Sequence, residues 1–248
     1  MMRNVVRALA VLIGIGAFSP VATSDEIKIV APILGVGLQS ADGTGLYPKL
    51  ARTILGAGDG KYSYTAVPLK RALVAMSNGS ADCLFGMDKN LLSSFDTDTD
   101  PLLESGQVLL TQQFVFTRRG DQRLSGLKSL SGKSVAILAG SNLEEELRRL
   151  NVRTFKVSTQ EAKLRMLALG RVDAIIGWMP DMFLSADENG FERPEFDQSA
   201  PLAMSKVTFV CRDNEKGKRL IQSANTTIQH LKQDGIIQKV NDTGWKLF

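Results

Sequence analysis

Residues 161–181 read EAKLRMLALGRVDAIIGWMPD. Ser158-Thr159-Gln160-Glu161 in front of them has the form of a capping box and opens a helix that runs through Leu169. Val172–Trp178 follows as an apolar, β-rich strand. The same order stands in residues 68–87, PLKRALVAMSNGSADCLFGM. There Leu69, Ala72, Leu73 and Met76 share one helical face, Asn78-Gly79 closes the helix, and Ala81–Met87 is a short apolar strand. A helix feeding an apolar strand, used twice, predicts an α/β fold with mostly parallel sheets.

Working outward, Ile27–Pro32 and Tyr62–Val67 read as strands on either side of a helix at Leu46–Leu55. Asp88–Glu104 is polar and irregular, and Gln107–Thr117 is a long β run. A second series follows: strand Ser134–Ala139, helix Ser141–Leu150, strand Thr154–Val157, then the 161–181 unit and a helix over Asp181–Glu188. Val207–Arg212 is another strand, Lys216–Lys232 a long amphipathic helix, and Ile236–Val240 the start of a last short one. The doubled series predicts two α/β lobes joined by two crossing strands. The expected division is 25–112 with 208–248 for the first, discontinuous lobe, and 113–207 for the second.

The N-terminal residues differ from the rest. Arg3 and Arg7 flank an apolar run from Val5 to Phe18, and Ala22-Thr23-Ser24 supplies small residues. That is the layout of a secretory signal, cut after Ser24, and the run is short of the roughly 20 residues a bilayer span needs. A periplasmic location is the expectation. The chain has 248 residues, 44% hydrophobic and 23% charged, an ordinary globular composition. Removing residues 1–24 lowers Lys plus Arg from 30 to 28 against 26 acids, too balanced a charge for a nucleic-acid partner. With one His, two Cys and no CxxC, no zinc site or other cofactor is expected. Cys83 and Cys211 either form a disulfide or stay as two buried thiols; sequence separation does not decide between them.

Ligands of α/β sheets bind beyond the carboxyl ends of strands, near helix N-termini. The rule selects Pro32, Ile33 and Leu34 after the first strand, Leu69 to Arg71 after the second, and Met87 to Asn90, with Asp88, after the third. In the second lobe it selects Gly140, Ser141, Asn142 and Trp178. Gly140-Ser141-Asn142 suits either an anion or simple helix capping. Trp178 either stacks on a flat solute or packs in the core. Arg71, a cation at a helix start, either faces an anionic solute or is solvated. Gly35-Val36-Gly37 lacks the third glycine of a dinucleotide turn and reads as a flexible loop. No nucleophile elbow, HExxH or P-loop is present, and His230 reads as a surface residue.

Four ordered segments resemble the bacterial extracellular solute-binding proteins of family 3, the periplasmic components of polar amino-acid ABC importers. They are PLKRALVAMSNGSADCLFGM (68–87), LKSLSGKSVAILAGSNLEEEL (127–147), EAKLRMLALGRVDAIIGWMPD (161–181) and IQHLKQDGIIQKVNDTGW (228–245). The resemblance implies the two-lobed type II periplasmic-binding-protein fold, hinge closure on a small-molecule solute, and a membrane permease or sensor as partner, with the protein itself a monomer and not an enzyme. The chain departs from that family at two positions. The Arg that clamps the ligand carboxylate would fall near Ser93, and the Asp that holds the ligand ammonium would fall at Trp178, with Asp181 close by. An ordinary α-amino-acid binder is therefore not expected; a solute with an aromatic or apolar part, or a different anion, is. The rival readings are a dehydratase-like periplasmic enzyme on the same fold and an interaction module without a solute.

Overall fold

The computed structural model describes residues 26–56, 61–95 and 101–238. The secretory-signal reading of residues 1–24 and the end of the last predicted helix lie outside them. Two sheets organise the chain. The first contains β1 (Ile27–Pro32), β2 (Tyr62–Val67), β3 (Cys83–Phe85), β4 (Leu102–Glu104) and β11 (Phe209–Arg212), in the order β2-β1-β3-β11-β4. The second contains β5 (Leu109–Thr117), β6 (Ser134–Leu138), β7 (Arg153–Val157), β8 (Ala174–Met179) and β10 (Ala203–Val207), in the order β10-β5-β8-β6-β7, with β9 (Glu195–Phe196) paired to β5. Strands within each βαβ unit pair in parallel, and β5, β10 and β11 run antiparallel to their neighbours.

Side-chain alternation explains why each sheet is covered on both faces. In β1, Ile27, Ile29 and Ala31 face α1 (Leu46–Leu55) and α7 (Glu215–Gln233), while Val30 packs on the opposite face with Ala72 and Met76 of α2 (Leu69–Ser77). In the second sheet Phe114, Phe116, Ala136 and Ile175 face α5 (Gln160–Ala168) and α6 (Asp181–Glu188). Val115, Val135, Ile137, Ala174 and Ile176 pack behind them, towards Leu147 of α4 (Glu144–Arg149). The period of two in each strand thus sorts one sequence into two cores.

The β segments read at 107–117 and 207–212 lie where the chain passes between the two sheets, as expected of crossing strands. Thr208 separates β10 from β11, its hydroxyl donating to the Met87 carbonyl at 2.8 Å. At the matching place in the other crossing, Val108 donates its N–H to the Val207 carbonyl at 2.9 Å. Both chains therefore change sheet at one level, side by side. The stretch 88–104 is less irregular than its composition suggests: it holds α3 (Lys89–Ser93) and β4. Asp88 caps α3 through the Leu91 N–H, and the apolar face of Leu91 and Leu92 supplies the burial.

Cys83 and Cys211 stand opposite each other across the β3–β11 pair and are disulfide-bonded. Both are fully buried beside Phe85 and Phe209. Close packing also fixes Gly217 in the first turn of α7: a Cβ there would lie 2.0 Å from the Arg212 carbonyl oxygen. Gly217→Ala is expected to lower stability by about 3 kcal/mol, because the clash is with backbone. A urea-unfolding midpoint equal to that of the parent would show instead that the turn into α7 gives way freely.

Candidate functional site

The carboxyl ends of β1 and β3 meet those of β6 and β8 across the gap between the sheets, and a cavity of about 90 Å³ lies there. Its first-lobe wall is apolar, with Pro32, Leu34, Leu69, Met87, Leu91 and Phe95. The second lobe contributes Ile137, Leu138, Ser141, Asn142, Ile176 and Trp178. Thr111 and Gln113 of β5 and Ser205 of β10 close the side formed by the crossing strands, where the Thr111 hydroxyl donates to the Ser205 carbonyl at 3.0 Å.

Three further side chains form a polar floor. Lys163 projects from α5, and Asp181 is the first residue of α6; they are 1% and 3% exposed. The Lys163 Nζ donates to the Ile176 carbonyl. Tyr47, on α1 of the first lobe, donates its hydroxyl to Asp181 Oδ1 at 2.9 Å. Burial pushes the Asp181 carboxyl up to about 7, against the Tyr47 hydrogen bond and the nearby Lys163 charge. Burial pushes the Lys163 ammonium down to about 7, against the Asp181 charge. Burial likewise holds the Tyr47 hydroxyl well above its ordinary range, so it remains a donor.

The lobes touch around this cavity. The Gln160 N–H donates to the Leu34 carbonyl at 2.8 Å, and Asn142 Nδ2 donates to Ser94 Oγ at 2.7 Å. A Cβ on Gly140, which has φ 90°, would lie 2.7 Å from Lys70 Cγ, so only glycine lets the two lobes approach here. The Gly35–Gly37 loop is part of the same contact, with Gly35 against Thr159 and Gly37 against Glu188. It is a turn closed by a Gly35–Gln39 bridge rather than the flexible loop expected.

Seven of the fourteen residues selected from sequence line the cavity: Pro32, Leu34, Leu69, Met87, Ser141, Asn142 and Trp178. Ile33, Arg71, Asp88 and Gly140 are among those that do not. Ile33 points away, where its N–H continues the β1–β2 ladder to Val67. Arg71 is exposed on α2 outside the cavity. Asp88 spends both oxygens on backbone, one on Leu91 N–H at 2.8 Å and the other on Lys206 N–H at 2.9 Å. Gly140 serves lobe contact. The helix expected at Ser141 begins only at Glu144, with no side-chain cap, so Ser141 and Asn142 belong to the preceding turn.

Tyr47, Lys163 and Asp181 were missed as site residues, although Lys163 left a signal. Gln160, Lys163, Leu164 and Leu167 occupy the buried face of α5 at helical spacing, and two of those four are polar. Gln160 is fully buried with neither amide atom bonded within the described residues. A lysine and a glutamine inside an apolar stripe mark a face that covers more than a core.

The fold and cavity can now be set beside known proteins. No family model matches the chain. A Vibrio harveyi protein named as the amino-acid ABC transporter-binding protein PatH is 27% identical over 133 residues, 51% of each chain. The Bacillus subtilis protein named as the amino-acid-binding protein YxeM is 24% identical over 134 residues, 52% of this chain and 49% of that one. The chain is thus similar, at 24–27% identity over about half its length, to proteins named as amino-acid-binding proteins. It spans about half the length of the curated relatives it matches. Solved structures agree on the fold across nearly all of the chain. The GluR0 ligand-binding core from Nostoc punctiforme, in complex with L-glutamate, superposes with TM-score 0.70 at 16% identity, covering 88% of this chain and 99% of that one. A histidine kinase sensor domain with similarity to periplasmic binding proteins gives 0.69 at 18% identity, covering 89% and 96%. The substrate-binding protein of an amino-acid ABC transporter gives 0.67 at 19% identity, covering 89% and 99%. This is the two-lobed type II periplasmic-binding-protein fold expected from the sequence. Among the described residues no helix is long and apolar enough to cross a membrane.

Proposed function

We propose that this protein is a periplasmic solute-binding protein that closes by hinge motion on a small polar or partly aromatic solute and delivers it to an ABC importer. The observation that carries the reading is the cavity between the two lobes, lined from both sides and floored by buried charged groups. Its relatives are named as binding proteins for amino acids, which agrees with a binder rather than an enzyme. The side-by-side crossings at Val108 and Thr208 provide the place where a small backbone rotation would swing one lobe against the other. In this reading residues 25–112 and 208–248 move against 113–207, the protein acts as a monomer, and residues 1–24 are the export signal. Pro32, Met87, Ser141, Asn142 and Trp178 touch the solute.

A thermal-shift screen of residues 25–248 tests the reading, using amino acids, opines, organic acids, polyamines and aromatic metabolites. A solute at 100 times its Kd adds about 2.7 kcal/mol, a rise of roughly 5–10 °C at this size. Silence across the panel from a folded protein would favour an interaction module, and chemical change of a recovered ligand would favour an enzyme.

Trp178 gives the mutational counterpart. It is half-buried at the end of β8 and faces the cavity. Trp178→Ala is expected to weaken solute binding about tenfold or more while leaving the circular dichroism spectrum unchanged, since an aromatic wall in a cavity contributes mainly contact area. Equal affinity for the solute found in the screen would remove Trp178 from the site.

A further inference from the structure

We propose that a clasp of the protein's own groups, in which α6 and the start of α5 grip α1 and the loop 34–39, holds the two lobes together, so that the closed form predominates before any solute arrives. This deepens the hinge reading above and rests on it.

The clasp begins with helical spacing. Asp181, Leu184 and Glu188 stand at i, i+3 and i+7 of α6, on one face of the helix. All three meet the first lobe. Asp181 accepts the Tyr47 hydroxyl at 2.9 Å, a bond between residues 134 apart in sequence and both buried. Leu184, about one turn further on, packs against the first-lobe core that holds Tyr47, Leu50 and Phe85. Glu188 lies against Gly37, where a Cβ would come within 2.7 Å of Glu188 Cγ. The whole length of α6 is therefore laid along the other lobe.

The start of α5 adds a second grip. Gln160 is its first residue, and the Thr159 side chain spends its cap on the Ala162 N–H. The Gln160 N–H is one of the donors that a helix start leaves without a partner of its own. The first lobe supplies that partner, the Leu34 carbonyl, at 2.8 Å. Gly35, with φ 119°, brings the same loop against Thr159, 3.3 Å from a Cβ at Gly35 to Thr159 Cβ.

Most of this contact lies beside the cavity. Leu34, Tyr47 and Asp181 border it, but Gly35, Gly37, Thr159, Gln160, Leu184 and Glu188 do not. These groups meet partners that belong to the protein, so the contact needs no solute as a bridge. Opening the lobes would return Leu184 to water and part a buried hydroxyl–carboxyl bond and a backbone bond together. Loss of apolar burial opposes that step directly, and the two hydrogen bonds add to it.

The Gln160 amide gives a direct readout of closure, since its acceptor is on the other lobe. The purified protein is unfolded in guanidinium and refolded with its disulfide intact, which strips carried-over solute. Amide hydrogen exchange is then followed by NMR. In the stripped protein the Gln160 amide is expected to exchange at least about 20-fold slower than in an unstructured chain, yet faster than the amides of β8 at the centre of its sheet. Tyr47→Phe and Leu184→Ser should each speed exchange at Gln160 about fivefold or more and leave the β8 amides as in the parent. Exchange of Gln160 at the unstructured rate in the stripped parent overturns the clasp; a solute from the thermal-shift screen that then slows it keeps the hinge reading. Slow exchange that neither variant alters also overturns the clasp. Where that rate matches the β8 amides as well, the lobes do not part and the hinge reading falls with it. Should a variant fail to fold, the parent decides alone, by exchange at Gln160 against exchange in β8.

Discussion

Cys83→Ala/Cys211→Ala unfolds with about 4–5 kcal/mol less stability than the parent protein, a fall in Tm of roughly 10–20 °C. The size of the effect follows from the chain it closes. The two cysteines are 128 residues apart in sequence, and the whole second sheet lies between them. Cutting the link frees that long loop in the unfolded chain, and the entropy gained grows with loop length. In the folded protein the bond fastens β3 to β11, the strand by which the chain returns from the second lobe. Alanine replaces sulfur in a fully buried place between Phe85 and Phe209, so lost packing adds to lost cross-linking. The check is urea unfolding of the oxidised protein, of the same protein under reductant, and of the double variant. Coincident curves would mean that the bond adds nothing and that the β3–β11 pairing alone holds the lobe together.

The fold was legible because its signals are redundant. In the first lobe, β1, α1, β2 and α2 fall at the residues where periodicity puts them, and the chain returns through β11 and α7. What could not be seen was why a β run changes sheet there. Residues 207–212 read VTFVCR, a β-rich run without a turn residue, and the break at Thr208 depends on the Met87 carbonyl, 121 residues away. The site was half legible for a related reason. The rule about strand ends finds Pro32, Met87, Ser141, Asn142 and Trp178, because backbone direction alone places them. It does not find Lys163 and Asp181, which lie on helices, where a charged residue ordinarily faces water. It also picked Asp88, whose position is right and whose oxygens are already committed to backbone N–H groups. Proximity to a strand end selects a residue, but free hydrogen-bonding capacity decides whether it has anything to offer a solute.

Lys163→Met/Asp181→Asn is expected to be more stable than the parent protein at pH 7, by about 1–4 kcal/mol, because well-packed neutral groups replace two buried charges. Methionine follows the lysine stem, and asparagine keeps an oxygen for the Tyr47 hydroxyl. The pH profile carries the sign of each group. The folded-state pKa of Asp181 is raised from 3.8 to about 7, so its contribution to stability is complete below pH 4 and lost as pH rises to 7. That of Lys163 is lowered from 10.5 to about 7, so its contribution is complete above pH 10.5 and lost as pH falls to 7. Stability of the parent relative to the double variant should therefore dip near neutral pH and recover on either side. Tm measured from pH 5 to pH 9 on both proteins checks this; a constant difference would show that neither group shifts on folding. Gain of stability together with loss of solute binding would mean that the chain keeps two buried charges at a cost to its own fold. Such a cost is expected of charges kept for binding and not for the fold.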